Sequence, residues 1–292
     1  MPRGLDHVVH AVRDLDAAAE LYRRMGFTVG ARNRHSWGTH NRIVQLPGFF
    51  IELLTVAEPE KLGSDGFSKL FGAFNRDFLN ENEGLSLLIL ESADAAADER
   101  AFRAAGIANS ETLHFEREGK RPDGSAVKVA FTLAFARDAA APGTSFAVCR
   151  QHYPENFWNP ALQQHANWVT GVSGVVLAAA RPNAHREFLA AFAGQPDVRE
   201  NAGGIAVATP RGEIAVMGQI AFRGAFGIAP ASSAHGARLA ALRFVVGDIA
   251  STLNVLQSGN VAAVAHGNQI VVGAGTAMGA TIVFEKAGTV GR

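Results

Sequence analysis

"LDHVVHAV", residues 5–12, sets two histidines, His7 and His10, three apart in an otherwise apolar run. On a helix, positions three apart share a face; on a strand, side chains alternate and the two rings point to opposite faces. The flanking Val8, Val9, Ala11 and Val12 are mostly β-branched, and "RDLD" follows as a turn signal. The stretch reads as a strand. His7 is then a candidate ligand, and His10 lies under the next element as a core or boundary residue.

That next element, "RDLDAAAELYRRMG", reads as a helix. Asp14 can cap its start, Leu15, Ala18, Tyr22 and Met25 form one apolar stripe, and Gly26 sits where a C-terminal glycine belongs. Strand-like segments follow at "FTVGARN" (27–33), "NRIVQL" (41–46) and "FFIELLTV" (49–56). The order of strand, helix and three strands recurs from "GLSLLILES" (84–92), from "GVSGVVLAA" (171–179) and from "LAALRFVVGDI" (239–249). In the last unit a short helix ends near Gly259 and the final strand is "ATIVFEKA" (280–287). The spacer 59–83 is predicted helical, with Phe67, Leu70, Phe71, Phe74 and Phe78 on one side. Each unit is a half-open curled sheet with a helix on its outer face, so units must pair and leave a cleft. The expected class is α+β, with four tandem βαβββ modules in two domains. Residues 1–153 form the first, 154–168 the join, and 169–292 the second.

Lysine plus arginine and aspartate plus glutamate balance at 27 each, which gives no electrostatic case for nucleic acid or a membrane surface. The basic stretch "REGKRPDG" (117–124) reads as a solvated hairpin tip. Cys149 is the only cysteine, so an internal disulfide and a thiolate zinc cluster are excluded. No apolar stretch approaches a membrane span and no signal pattern precedes the first strand, so a cytoplasmic protein is expected. "GAGTAMG" (273–279) lacks GxGxxG spacing and precedes a strand, so it is no nucleotide site.

The stretches "LDHVVHAVRDLDAAAELYRRMGFTV", "WGTHNRIVQL" and "FFIELL" resemble the vicinal oxygen chelate superfamily, and more closely its glyoxalase-like domain proteins. "CRQHYPENFW" and "QQHANWVTGVSGVVLAA" are also similar to stretches of that subfamily. The resemblance in fold covers essentially the whole chain; modules three and four match in pattern more than in residues. It implies a small-molecule substrate or ligand, a lyase, isomerase or dioxygenase-type activity, a homodimer as an assembly state, and one divalent metal in the cleft. Metal ligands would come from first strands, often His, and last strands, often Glu, of two modules. His7 and Glu52 match those places in module one, and imidazole with carboxylate suits Fe, Mn, Zn or Ni. Module two offers Leu85, Ser86 and Leu87 where a first-strand histidine is expected, and Gln151 is the nearest further ligand. Gly174 and Ala241 stand at the corresponding places of modules three and four, and Glu285 lies on the last strand without a matching histidine.

Each assignment has a plainer counterpart. His7 and Glu52 would otherwise share a hydrogen bond in a polar pocket; without a metal, Glu52 would act as a general base with its pKa raised by burial. Trp37, Asn41 and Arg42 line a substrate pocket or belong to a hairpin with exposed polar residues, and His35 and His40 in the same loop are expected in solvent. Gln151 and His152 end a strand beside the cleft, with His152 out of phase and a candidate for substrate binding. Cys149 faces the cleft or is an inert packed thiol. His165 and Asn167 would fasten the join by hydrogen bonds. The alternative to an enzyme is a metal-free protein that binds or sequesters a small molecule.

Overall fold

The computed structural model describes residues 1–64, 66–120, 124–231 and 236–287. Asp14 accepts from the amides of Asp16 and Ala17, and so starts a helix directly after the first strand. Module one runs β1 (Leu5–Ala11), α1 (Leu15–Arg24), β2 (Asn33–Arg34), β3 (Thr39–Leu46) and β4 (Phe49–Val56). A 3₁₀ turn at Pro59–Lys61 and a π-helical stretch at Ser68–Ala73 lead into α2 (Phe74–Glu81). Module two is β5 (Gly84–Glu91), α3 (Ala95–Ala104), β6 (Leu113–Lys120), β7 (Ala126–Ala136) and β8 (Ser145–Gln151). Residues 121–123 of the expected hairpin tip lie outside the described residues.

After α4 (Pro154–Phe157) and a 3₁₀ turn at Pro160–Gln163, module three is β9 (Val169–Ala178), α5 (Arg186–Ala193), β10 (Val198–Asn201), β11 (Gly204–Ala208) and β12 (Glu213–Met217). The sequence pattern does not predict α6 (Gln219–Phe226), which follows. Module four is β13 (Arg238–Val246), α7 (Ile249–Ser258), β14 (Val264–His266), β15 (Gln269–Val272) and β16 (Thr281–Lys286). No helix among the described residues is long and apolar enough to cross a membrane.

The modules pair into two eight-stranded sheets with the same strand permutation: β2-β3-β4-β1-β5-β8-β7-β6, and β10-β11-β12-β9-β13-β16-β15-β14. In each, the two first strands meet antiparallel at the centre, and each runs parallel to the last strand of its own module. The helix-covered faces of the two sheets share one apolar core, which holds Val8, Tyr22, Phe27 and Phe102 with Phe192, Leu242, Phe244 and Phe284. A second cluster, with Val9, Leu54, Leu87, Phe135 and Cys149, lies on the concave face of the first sheet.

One strand expected from the sequence is nearly absent: of residues 27–33 only Asn33 enters β2. Phe27 turns inward against Phe244, with ring centroids 5.4 Å apart, and the Thr28 amide donates to His165 Nδ1 at 3.1 Å. The segment is thus tied to the other half and to the join instead of a sheet edge. His165 Nε2 reaches the Gln45 carbonyl at 2.9 Å, and Asn167 Nδ2 donates to the Met25 carbonyl at 2.9 Å, so both residues fasten the join.

His10 is fully buried on the helix side. Its Nε2 donates to the Met278 carbonyl at 2.9 Å, which leaves Nδ1 to accept from the Tyr22 hydroxyl, also at 2.9 Å. Burial pushes its pKa down to about 4, and the neutral ring fits this pair of bonds. Below pH 6.5 the unfolded chain takes up a proton that folded His10 refuses. Stability therefore falls as the pH drops from about 6.5 toward about 4, by about 3 kcal/mol for this residue, and levels off below. Urea unfolding of the wild type and His10→Gln between pH 4 and pH 7 should show a shallower pH dependence in the variant. Equal slopes would remove His10 from the account.

Candidate active site

The alternation of β1 predicts that His7, Val9 and Ala11 share a face, and they turn to the concave side with Phe50, Glu52 and Leu54 of β4. Between Leu5 and His7 the pairing with β5 slips by a residue. This bulge sets Asp6 beside His7 instead of on the opposite face. His7 Nδ1 donates to Asp6 Oδ2 at 2.6 Å, and Gln151 Nε2 donates to Asp6 Oδ1 at 3.0 Å. The ring stacks flat on Phe50, with centroids 4.1 Å apart and planes 11° from parallel. Orientation and proton placement on His7 are thereby fixed, and its Nε2, without a hydrogen bond among the described residues, is left to the pocket.

Glu52 is 6% exposed and borders the same pocket. Asn41 Nδ2 donates to Glu52 Oε1 at 2.5 Å, while Oε2 accepts no hydrogen bond among the described residues. Burial raises the Glu52 pKa; the nearby His7 and the Asn41 bond pull the other way. Asn41 is itself held, because its Oδ1 accepts from Asn33 Nδ2 at 3.0 Å and its amide nitrogen lies 3.4 Å from His35 Nε2. The empty space of the pocket, counted together with the part open to solvent, is ≈ 630 Å³. Its walls are aromatic: Trp37, Phe67, Phe71, Phe115, Phe131 and Phe157. Cys149 lines it too, but burial pushes its thiol well above the usual range, which makes it a packing group.

His7, Trp37, Asn41 and Glu52 thus meet at one pocket; of the other predicted residues, Gln151 is linked to it only through Asp6, and Arg42 and His152 are not part of it. Arg42 alternates with Asn41 on β3 and points to the opposite face, where it donates to Asp16 Oδ1 at 3.0 Å and to the Gly30 carbonyl at 3.2 Å. His152 lies on the outer side of the sheet, 2.8 Å from the Thr132 hydroxyl, while Thr132's neighbours Phe131 and Leu133 face inward. His35 and His40 are not in solvent. The amides of Ala57 and Glu58 cross back to the Gly38 carbonyl and fold the chain over the hairpin. His40 is thereby buried against Glu58 Oε2 at 3.1 Å. His35 stacks on Trp37 with centroids 4.6 Å apart, and burial pushes its pKa down to about 3. Asp6, Asn33, His35 and Arg117 are site residues that pattern reading missed.

The donor set does not fit a resident divalent metal. Aligning the helix-capping aspartates Asp14 and Asp94 puts Leu87 at the place of His7 in module two. The registers of β4 on β1 and β8 on β5 then put Ala147 at the place of Glu52. Two apolar residues stand where the second pair of ligands would be. Gln151, expected to help, is engaged by Asp6. Among the described residues, no group of three or more His, Cys, Asp or Glu is placed to hold a metal. Two protein donors, one with an oxygen already bonded to Asn41, are too few for tight binding.

The family model of the glyoxalase-like domain matches residues 5–193, which include every residue of this pocket. The chain belongs to the glyoxalase-like domain family. A comparison with curated proteins returned no match. Among solved structures, a hypothetical protein from Staphylococcus aureus is 13% identical with a TM-score of 0.67, over 97% of this chain and 99% of that one. A mutant of 4-hydroxymandelate synthase from Streptomyces coelicolor is 14% identical with a TM-score of 0.63, over 100% and 94%. A fusion of a xylose isomerase-like TIM barrel with 4-hydroxyphenylpyruvate dioxygenase is 14% identical with a TM-score of 0.56, over 100% of this chain and 50% of that one. At these identities the likeness is one of fold.

In this glyoxalase-like protein, the Asn41 bond favours the charged form of Glu52. Removing it should raise the Glu52 pKa further. Carbon-13 NMR of labelled glutamate side chains across pH should show one carboxyl above the ordinary range, moved up again in Asn41→Leu. A Glu52 signal that titrates with the surface glutamates would contradict the assignment.

Proposed function

We propose that this pocket binds a small molecule with an aromatic or apolar body and moves a proton on it without a metal, as an isomerase or lyase does. The observation that carries this reading is the opening of His7 Nε2 and Glu52 Oε2 onto one apolar-walled pocket. A buried carboxylate with a raised pKa is a stronger base than one in water, and its pKa moves toward the working pH. Glu52 takes a proton from a carbon next to a carbonyl. His7, its Nδ1–H held by Asp6, gives a proton from Nε2 in its imidazolium form to the carbonyl oxygen, and the product is the neutral enol. Return of a proton to the other carbon or face yields the isomer, and loss of a leaving group from the neighbouring carbon yields the lyase product. Aromatic walls keep water from the reacting carbon and hold the flat body of the ligand.

Proton exchange in D₂O tests this on a panel of aryl ketones and aryl aldehydes bearing exchangeable α-protons. NMR should show enzyme-dependent loss of the α-proton signal, slowed about a hundredfold or more in Glu52→Gln, with ligand affinity kept. Binding without exchange, unchanged in Glu52→Gln, would favour the second reading: a protein that only binds or sequesters its ligand. The aromatic walls alone support that alternative, since they need no proton transfer.

A further inference from the structure

Arg117 lies on β6 two residues after Phe115, on the strand face that turns into the pocket; both line it. Glu116 and Glu118 point the other way, and Glu116 pairs with Lys128 at 2.7 Å. Arg117 is half-buried, yet among the described residues it makes no hydrogen bond or ion pair. The other buried arginines of the interior behave differently: Arg3 meets Asp98 at 2.7 Å and Arg243 meets Glu285 at 2.8 Å. Partial desolvation of a guanidinium without a counter-charge is unfavourable, and burial shifts the Arg117 pKa below its usual value. Arg117 also borders the neighbouring groove that contains Gly30, Gly119 and Asn156, so it stands where the pocket opens outward.

We infer that Arg117 is the recognition site for a carboxylate on the ligand, so that the pocket takes small aryl or apolar carboxylic acids. This rests on the reading of the pocket as a small-molecule site with aromatic walls. A guanidinium presents two parallel N–H groups that match the two oxygens of a carboxylate. One arginine balances one negative charge. Glu52, bordering the same space, disfavours a doubly charged phosphate monoester, because Arg117 is the one arginine or lysine among the described residues that lines the pocket. With the carboxylate at Arg117 near the mouth, the apolar body extends between Trp37, Phe71 and Phe131 toward His7 and Glu52.

The test compares acids with their neutral amides by calorimetric titration: benzoate, phenylacetate and 3-phenylpropionate, each against the matching amide. In the wild type at least one acid should bind about tenfold or more tighter than its amide. In Arg117→Gln that ratio should collapse to about one while amide affinity stays. Arg117→Lys, which keeps the charge but loses the fork, should fall between, and also serves should the glutamine variant fail to fold. Acids and amides binding equally to the wild type, or an acid preference that survives in Arg117→Gln, would overturn the assignment and leave the aromatic pocket standing. Binding of neither member of any pair would overturn both.

Discussion

The period-two alternation of β1, broken once by the bulge at Asp6, is the constraint on which the first half of the molecule depends. One face of that strand looks into the shared core and carries His10, locked between Tyr22 and the Met278 carbonyl. The other looks into the concave pocket and carries His7. Without the bulge, Asp6 would face away from His7, and the ring would lose the partner that fixes its proton. A single irregularity in hydrogen-bond register thus converts a buried imidazole into an oriented one. The same strand fixes Glu52, because β4 runs beside it in parallel register.

The second sheet repeats the topology with different contents. In its concave face, Glu285 accepts from Arg243 Nη2 at 2.8 Å, from the Ser173 hydroxyl at 2.6 Å and from Gln269 Nε2 at 2.8 Å. Glu213 bridges Arg243 and Arg199. Charges there are matched within the fold, whereas in the first sheet Glu52 Oε2, His7 Nε2 and Arg117 lack protein partners among the described residues. Buried polar groups that a fold leaves unsatisfied are the ones available to a ligand. On the proposed reading the chemistry belongs to the amino-terminal half, and the carboxy-terminal sheet shares the core behind it.

Much of this was legible in the sequence, because the relevant signals were local and periodic. The split fates of His7 and His10 follow from alternation, and the fourfold module pattern follows from capped helices between apolar runs. The misses share a cause: they depend on long-range placement. Phe27 and Thr28 look like a strand until the join supplies better partners for them. Arg42 is one residue out of phase with Asn41, so its proximity in sequence misleads. His152 carries the same flaw relative to Gln151. His40 is buried by a chain crossing that no local pattern announces, and Asp6 is brought inward by a bulge that alternation forbids. Arg117 sits in a basic run that reads as a solvated tip, and only the pairing of Phe115 with Phe131 turns its face into the pocket.

Leu87 and Ala147, standing where a second His and Glu would complete a metal sphere, separate this glyoxalase-like protein from the metal-dependent pattern its resemblance implies. Elemental analysis of protein purified without chelators tests that separation most directly. The account predicts far less than one Fe, Mn, Zn or Ni per chain, with no change in His7→Ala or Glu52→Gln. Close to one metal per chain in the wild type, lost in either variant, would contradict it.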